Sequence, residues 1–425
     1  MTTLALSSAE LPVFFEERHA ALAARLTPEA LAPLAPLAGA RDAAAVARCL
    51  GEPLGLYAHL VPEALGGAPT SPGRAADPTA IDVRALVLVR EALGQVSPLA
   101  DAIFAVQGLG SYPVVLAGSD AQRRAILPEV LSGRRVGAFA LTEPEAGSDV
   151  ASLRTEARRD GDGWVLDGEK VLISNVPLAH HLVVFARATG APEGGGGAGG
   201  ARGAGRGAIT AFLVDSGAPG VSSEPLPMSV PHPIGRVRFH ACRVPDSARL
   251  GEVGGGFKLA MQTLDAFRIS VGAAANGMAA RALREAIAHV TRRRQFGAPL
   301  SEQQMVRAYL AEMATELDAA RLLVARAAHK RDTAAGAAAR VSTEAAMAKM
   351  FATEAAQRII DRAVQLHGGM GVIEGTEVER LYREIRPLRI YEGTTEIQKL
   401  IIAKGILERA AAETPADERA RGEAR

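Results

Sequence analysis

The chain has 425 residues, too many for one small core; at about 100–200 residues per domain it holds two to four domains, or one large helical body with an insert. Hydrophobic residues make up 48% and charged residues 22%, which excludes wholesale disorder, and a formal net charge of +1 removes any global case for binding nucleic acid or an anionic membrane. The two cysteines, Cys49 and Cys242, stand far apart, so neither a disulfide framework nor a thiolate metal cage can be built, and a reducing cytoplasm is the expected setting.

The first ten residues have no basic stretch ahead of an apolar core, so neither a secretory signal nor an Arg-rich transit peptide is expected. Residues 10–136 read as helices. Leu22, Leu26, Ala30 and Leu34 recur at near-helical spacing, punctuated by Pro28, Pro33 and Pro36. The segment Asp82–Gly94 is expected as a compact helix closed by glycine, and Asp120–Leu131 as another ended by Ser132-Gly133. The longest uncharged run, Ala102–Ser119, contains Gln107, Gly108, Gly110 and Tyr112-Pro113. It is expected to break before it spans a bilayer, which predicts a soluble protein.

Between about 137 and 250 short apolar runs alternate with Gly, Asp and Pro. Strands are predicted at Gly163–Gly168, Leu182–Ala186, Ile209–Val214 and Val237–His240. Gly190–Gly207 is low-complexity Gly/Ala/Arg, expected as a mobile loop between two strands. It lacks the strand-to-helix context and the lysine of a phosphate loop. From Gly256 to about Ala412 the chain is helical again: Phe257–Arg294, Ser301–Lys330, Val341–His367, and a last helix from near Thr394. The order predicts a helical domain (1–136), an inserted β-domain (137–250), a helical bundle (251–412) and a frayed charged tail (413–425). Without strand–helix alternation a dinucleotide Rossmann domain is not expected.

No Ser-His-Asp context, H-E-x-x-H or metal-spaced histidine cluster occurs, so no metal is expected. His180-His181 and His367 read as structural or surface histidines. Three segments stand out. Ala140-Leu-Thr-Glu-Pro-Glu-Ala-Gly-Ser-Asp149 brings hydroxyls and small residues together, either to meet a planar ligand or phosphate, or as a turn in which Asp149 caps the next segment. Leu366-His-Gly-Gly-Met-Gly371 is a helix stop or a place of close backbone approach to a ligand. In Ile390-Tyr-Glu-Gly-Thr-Thr-Glu-Ile397, Thr394 suits an N-cap and Glu396 a first turn. Glu392 is either a half-buried base of raised pKa or a solvated turn residue.

Taken together these segments resemble the acyl-CoA dehydrogenase family, over nearly the whole chain from Leu54 to Ile406. Ala140–Ser152 resembles the family's flavin loop, and Leu264-Asp-Ala-Phe-Arg268, Arg293-Arg-Gln-Phe-Gly297, Gln365-Leu-His-Gly-Gly-Met-Gly371 and Tyr391-Glu-Gly-Thr394 follow in the family's order. The resemblance implies an N-terminal helical domain, a central β-barrel-like domain and a C-terminal four-helix bundle, assembled as a homotetramer or homodimer. It also implies FAD contacts at Leu141, Thr142, Ser148, Ile173 and Ser174, with the Ser174 hydroxyl at the flavin N5. A neighbouring subunit would supply Arg293, Phe296, Gln304, Gln365, Gly368 and Gly369 to the pyrophosphate and adenine side, and Thr394 and Glu396 would add contacts at the last helix. Ser148, Asp265, Arg268, Tyr391 and Gly393 match thioester-channel positions, and Glu392 matches the catalytic base. The alternative base position of some branches is Phe267 here.

The implied reaction is α,β-dehydrogenation of an acyl-CoA thioester in fatty acid metabolism, with electrons passed to electron-transfer flavoprotein. The thioester carbonyl would be polarised by the flavin ribityl hydroxyl and the Glu392 backbone N–H. An acyl-CoA oxidase or a dehydrogenase of carrier-protein thioesters would share the fold. A flavin-bearing DNA-associated homologue would need a basic C-terminal surface, which Glu413–Arg425 does not offer. Departures from the family pattern are Leu172 for a flavin-packing Trp and Val372 for an aromatic. The absence of Arg from Leu99–Ile103 argues against a dicarboxylate substrate.

Overall fold

A computed structural model describes residues 5–37, 42–74, 76–190, 208–334 and 341–413. The chain divides into two compact units, Met1–Phe267 and Arg268–Arg425. The Gly/Ala/Arg stretch (191–207) and the tail (414–425) lie outside the described residues.

Unit one opens with α1 (Ser7–Glu10), α2 (Glu17–Arg25), α3 (Ala43–Gly51), α4 (Val83–Val96), α5 (Pro98–Ala117) and α6 (Asp120–Leu131). The 22–34 stretch departs from expectation. Helix α2 stops at Arg25, and Leu22, Leu26, Leu31 and Leu34 are buried while Ala30 is exposed, because turns and a short 3-10 helix around the prolines replace the regular period. Helix α4 runs through Gly94 to Val96, starting where Asp82 accepts from the Ala85 N–H at 2.9 Å. Helix α6 has the predicted bounds, with Ser119 and Gln122 forming a capping box.

Helix α5 corrects the expected break at Gly108–Pro113. Ser97 caps it, Pro98 occupies its first turn, and it continues unbroken for 20 residues. By length and composition it is apolar enough to cross a bilayer, yet 89% of its apolar window is buried in the protein. Its glycines are packing sites. A Cβ on Gly108 would lie 2.3 Å from the Phe267 ring, and one on Gly110 would lie 2.6 Å from the backbone of Gly137.

The strands are β1 (Gly137–Ala140), β2 (Glu156–Asp160), β3 (Gly163–Ser174), β4 (His181–Thr189), β5 (Ala208–Asp215), β6 (Val221–Pro225), β7 (Ile234–Pro245) and β8 (Arg249–Leu250). They form one sheet in the order β6-β7-β3-β2-β4-β5-β8, with β1 also paired to β4. The predicted strand cores all lie inside β3, β4, β5 and β7; β1, β2 and β6 gave no apolar run long enough to signal them. The β3–β7 ladder shifts register between Lys170 and Ile173, a bulge that reaches the end of β3 and governs the site below.

Helix α7 (Gly256–Arg292) passes from the end of unit one into unit two, which continues with α8 (Gln304–Thr333), α9 (Ser342–His367), α10 (Glu377–Ile385) and α11 (Thr395–Glu413). Gly272 lets α7 pack tightly in unit two, since a Cβ there would lie 2.7 Å from Val324 of α8 and 3.3 Å from Ala352 of α9.

Candidate active site

In unit one the 141–149 loop is fastened from beneath. The fully buried Lys170 donates to the Leu141 carbonyl at 3.1 Å and pairs with Glu143 at 2.7 Å, while Glu143 also accepts from the backbone N–H groups of Arg154 and Thr155. Burial pushes the Lys170 ammonium down to about 8, opposed by the Glu143 charge. The Val171 N–H donates to the Thr142 carbonyl at 3.0 Å, so the loop lies along the bulged end of β3. Above this floor Thr142 is half-buried, and Ser148 and Gly147 are exposed with open space at the Gly147 Cβ position. Asp149 makes no side-chain cap; it accepts instead from the Ser152 hydroxyl.

At the bulge Leu172 takes a left-handed φ of 57° and is 59% exposed. Ile173 turns its side chain into the sheet core, which leaves only its backbone to a ligand. Ser174 is half-buried, and its hydroxyl meets His232 Nε2 at 2.7 Å. The exposed Leu172 side chain, the hydroxyls of Thr142, Ser148 and Ser174, and the open position at Gly147 are groups that suit the face of a planar heteroaromatic ring.

In unit two the 390–396 loop is held chiefly by α9. The fully buried Lys349 donates to the Gly393 carbonyl at 2.8 Å. Glu354 straddles the loop, accepting from Arg389 at 2.9 Å on one side and from the Thr395 hydroxyl at 2.6 Å on the other. Gln398 donates to the carbonyls of Glu392 and Gly393 at 3.2 and 2.8 Å, and Arg268 Nε reaches the Glu392 carbonyl at 3.5 Å. Glu392 itself is half-buried, with Oε2 buried, on a left-handed backbone of φ 52°. Non-glycine residues rarely occupy that region, and the surrounding bonds are what hold it there. Thr394 is the predicted N-cap: α11 starts at Thr395, and the Ile397 N–H reaches Thr394 Oγ1 at 3.4 Å. Glu396 is exposed, its carboxyl held below the usual range by its own backbone N–H and the Thr394 hydroxyl. Tyr391 and Gly393 are half-buried on either side of Glu392.

A second group sits around the ends of α7 and α9, joined by stacking of His289 on His367 at 4.3 Å. Arg293, Phe296, Gln304, Gln365, Gly368 and Gly369 are all exposed here. Phe296 is 93% exposed with φ 54°. The glycine segment resolves residue by residue. Gly368 has positive φ, Gly371 is forced by the Val364 carbonyl, which a Cβ would meet at 2.4 Å, and Gly369 opens onto free space. Arg292 caps its own helix through the Ala288 carbonyl at 2.9 Å, and Arg294 binds the Gly297 carbonyl at 2.9 Å. The Arg293 side chain makes no hydrogen bond or ion pair among the described residues.

Asp265 is half-buried on α7 in unit one. Phe267 is fully buried there, its ring edge-on to Tyr112 at 5.7 Å, so it belongs to the core and a carboxylate at that position would be buried. An arginine does stand against Asp101: Arg90 of α4 grips it at 2.8 Å through two nitrogens. The sequence reasoning missed Lys349, Glu354, Gln398 and His232. Lys349 had a signal, a lone cation in the buried small-residue stripe Ala345, Ala352, Ala356 of α9. His232 stands between Pro231 and Pro233, and Gln398 and Glu354 had no local signal.

Family models described as acyl-CoA dehydrogenase N-terminal, middle and C-terminal domains match residues 16–134, 138–242 and 254–407. The chain is 39% identical over 359 residues to the short-chain specific acyl-CoA dehydrogenase, mitochondrial, of Homo sapiens, covering 83% of this chain and 80% of that one. It is 35% identical over 363 residues to the caffeyl-CoA reductase-Etf complex subunit CarC of Acetobacterium woodii, covering 84% and 88%. Among solved structures, an acyl-CoA dehydrogenase complexed with FAD from Bacillus anthracis superposes with a TM-score of 0.82 at 28% identity, covering 95% of this chain and 70% of that one.

Proposed function

The chain belongs to the acyl-CoA dehydrogenase family, and from that premise we propose how its own residues carry the reaction. It is an FAD-dependent enzyme that dehydrogenates an acyl-CoA thioester between its α and β carbons, with electron-transfer flavoprotein as the electron partner. When bound, FAD supplies the hydride acceptor.

Glu392 takes the α-proton on its carboxylate. The observation that carries this assignment is its left-handed backbone, held through the Glu392 and Gly393 carbonyls by Arg268, Gln398 and Lys349. Such a hold fixes the main chain from which the carboxylate projects, which is how the backbone pre-positions a base. Ser148, Asp265, Arg268, Tyr391 and Gly393 line the thioester, and the Glu392 N–H polarises its carbonyl. Leu141, Thr142, Ser148, Ile173 and Ser174 would hold the flavin, and Thr394 and Glu396 would add contacts at the start of the last helix. The exposed group Arg293, Phe296, Gln304, Gln365, Gly368 and Gly369 serves the FAD of a neighbouring copy, which makes the protein a homotetramer or homodimer. A 93% exposed phenylalanine beside an uncommitted arginine supports that reading, since such a surface suits burial against a second chain and its pyrophosphate. We place the enzyme in the cytoplasm and in fatty acid metabolism.

The test is anaerobic bleaching of the FAD-loaded protein by a panel of acyl-CoA esters. Bleaching by at least one ester is expected. Bleaching by a carrier-protein thioester and by no CoA ester would contradict the substrate assignment, and fast reoxidation by oxygen would point to an oxidase.

A further inference from the structure

We propose that Ser174 and His232 form a proton exit from the flavin N5 atom to the cavity that His232 lines. The proposal rests on the placement of Ser174 at N5 given above.

The pair is built by the sheet. Ser174 ends β3 opposite Ile234 of β7, and the Asn175 N–H donates to the Pro233 carbonyl at 2.7 Å, so the two residues that follow His232 are tied to the end of β3. Pro231 and Pro233 fix the backbone around the histidine, and its own N–H donates to the Val230 carbonyl at 2.8 Å. The result is the 2.7 Å contact between Ser174 Oγ and His232 Nε2, the one partner of that hydroxyl among the described residues. His232 also lines a cavity of about 420 Å³ shared with Pro177, Met228 and Val230, large enough for several waters. Burial pushes the imidazole down to about 4, so at neutral pH it is uncharged, with one nitrogen a donor and the other an acceptor.

A hydroxyl facing N5 has two tasks. It donates to N5 of the oxidised ring and accepts from N5 once that atom carries hydrogen. Hydride from the substrate brings one hydrogen nucleus and two electrons; when both electrons have gone to the electron-transfer flavoprotein, one proton remains to be released. Ser174 Oγ takes that proton and passes its own hydroxyl proton to His232 Nε2, and the Nδ1 proton leaves to cavity water. Two electrons reach the acceptor and one proton reaches solvent. Serine and histidine keep their charge, and the imidazole changes from the Nδ1–H to the Nε2–H tautomer. Exchange with cavity water restores the first tautomer after the next hydride arrives. His232 is thus a positioning and relay residue for the half-reaction that reoxidises the cofactor, and takes no part in proton abstraction from substrate.

The test uses FAD-loaded wild type, His232→Gln and Ser174→Ala. Reoxidation of the dithionite-reduced proteins by ferrocenium, without substrate, is followed by stopped flow in H2O and D2O, and FAD affinity and absorption spectrum are recorded alongside. His232→Gln keeps a hydrogen-bonding group beside Ser174 but cannot shuttle a proton. It is expected to retain FAD, to bleach with acyl-CoA at the wild-type rate, and to reoxidise roughly tenfold or more slowly. A solvent isotope effect on wild-type reoxidation is expected as well. Independently of any variant, ¹⁵N spectra of histidine-labelled wild type should show the protonated ring nitrogen of His232 switching between the oxidised and reduced holoprotein. Wild-type reoxidation in His232→Gln, together with a flavin spectrum perturbed in Ser174→Ala, would overturn the relay while leaving the flavin placement intact, and so would an unchanged His232 tautomer. A spectrum and FAD affinity unaffected by Ser174→Ala would overturn the placement itself, and the relay with it.

Discussion

The Lys349 ammonium, fully buried in α9, donates to the carbonyl of Gly393, the residue next to the candidate base, at 2.8 Å. Burial pushes this lysine down from 10.5 to about 8, with the Glu392 charge acting in the opposite sense. Turnover should therefore fall as pH rises through about 8 and the ammonium is lost. The Lys349 contribution to folding stability moves the other way: between about 8 and 10.5 this lysine holds a proton in the unfolded chain and not in the native one, so its contribution rises with pH and loss of its proton does not itself unfold the protein. Lys349→Met removes a charged hydrogen bond of about 1.5–3 kcal/mol, so kcat should fall roughly 10–100-fold. A pH–rate profile of the variant should lack the decline near 8; a retained decline would assign it to another group.

Arg293→Ala should weaken FAD retention more than Arg292→Ala. Arg292 is committed to the Ala288 carbonyl at its own helix end, and Arg294 to the Gly297 carbonyl, whereas Arg293 is exposed without such a bond among the described residues. FAD dissociation constants from apoprotein titration decide it, and equal values for the two variants would show that the cluster serves only the helix terminus.

Acid should destabilise unit one between about pH 6.5 and 4. Burial holds the imidazoles of His59, His181 and His232 down at about 4, so across that interval the unfolded chain binds protons that the native one refuses. Each contributes at most about 3 kcal/mol. Urea midpoints at pH 7 and pH 4.5 should differ, and His232→Gln should reduce the difference. An identical difference in wild type and variant would mean that His232 titrates normally in the native protein.

The fold was legible wherever period and punctuation were strong. Helix α6 matched its predicted bounds, and α7, α9 and α11 came within about two residues, because glycine, proline and caps mark their ends. Helix α5 was misjudged because Gly108 and Gly110 read as breakers; their real cause, the Phe267 ring and the β1 backbone, is invisible without tertiary packing. The motif residues were legible as segments, but their supports were not. Glu354 grips Arg389 and Thr395 from about 40 positions away in sequence, and His232 meets Ser174 only through the β3–β7 register. Leu172 was recognised as a departure in composition, while the bulge that turns it outward follows from the ladder.

The assignment of Glu392 as the base is tested most directly by Glu392→Gln, which keeps size and hydrogen-bonding shape but accepts no proton at neutral pH. The FAD-loaded variant and wild type are mixed anaerobically with whichever acyl-CoA ester bleaches the wild type best, and the rate of flavin bleaching is followed by stopped flow. The variant should bind FAD and ester, yet bleach roughly 10²–10⁴-fold more slowly. Bleaching at the wild-type rate would contradict the assignment and place the base outside the 390–396 loop.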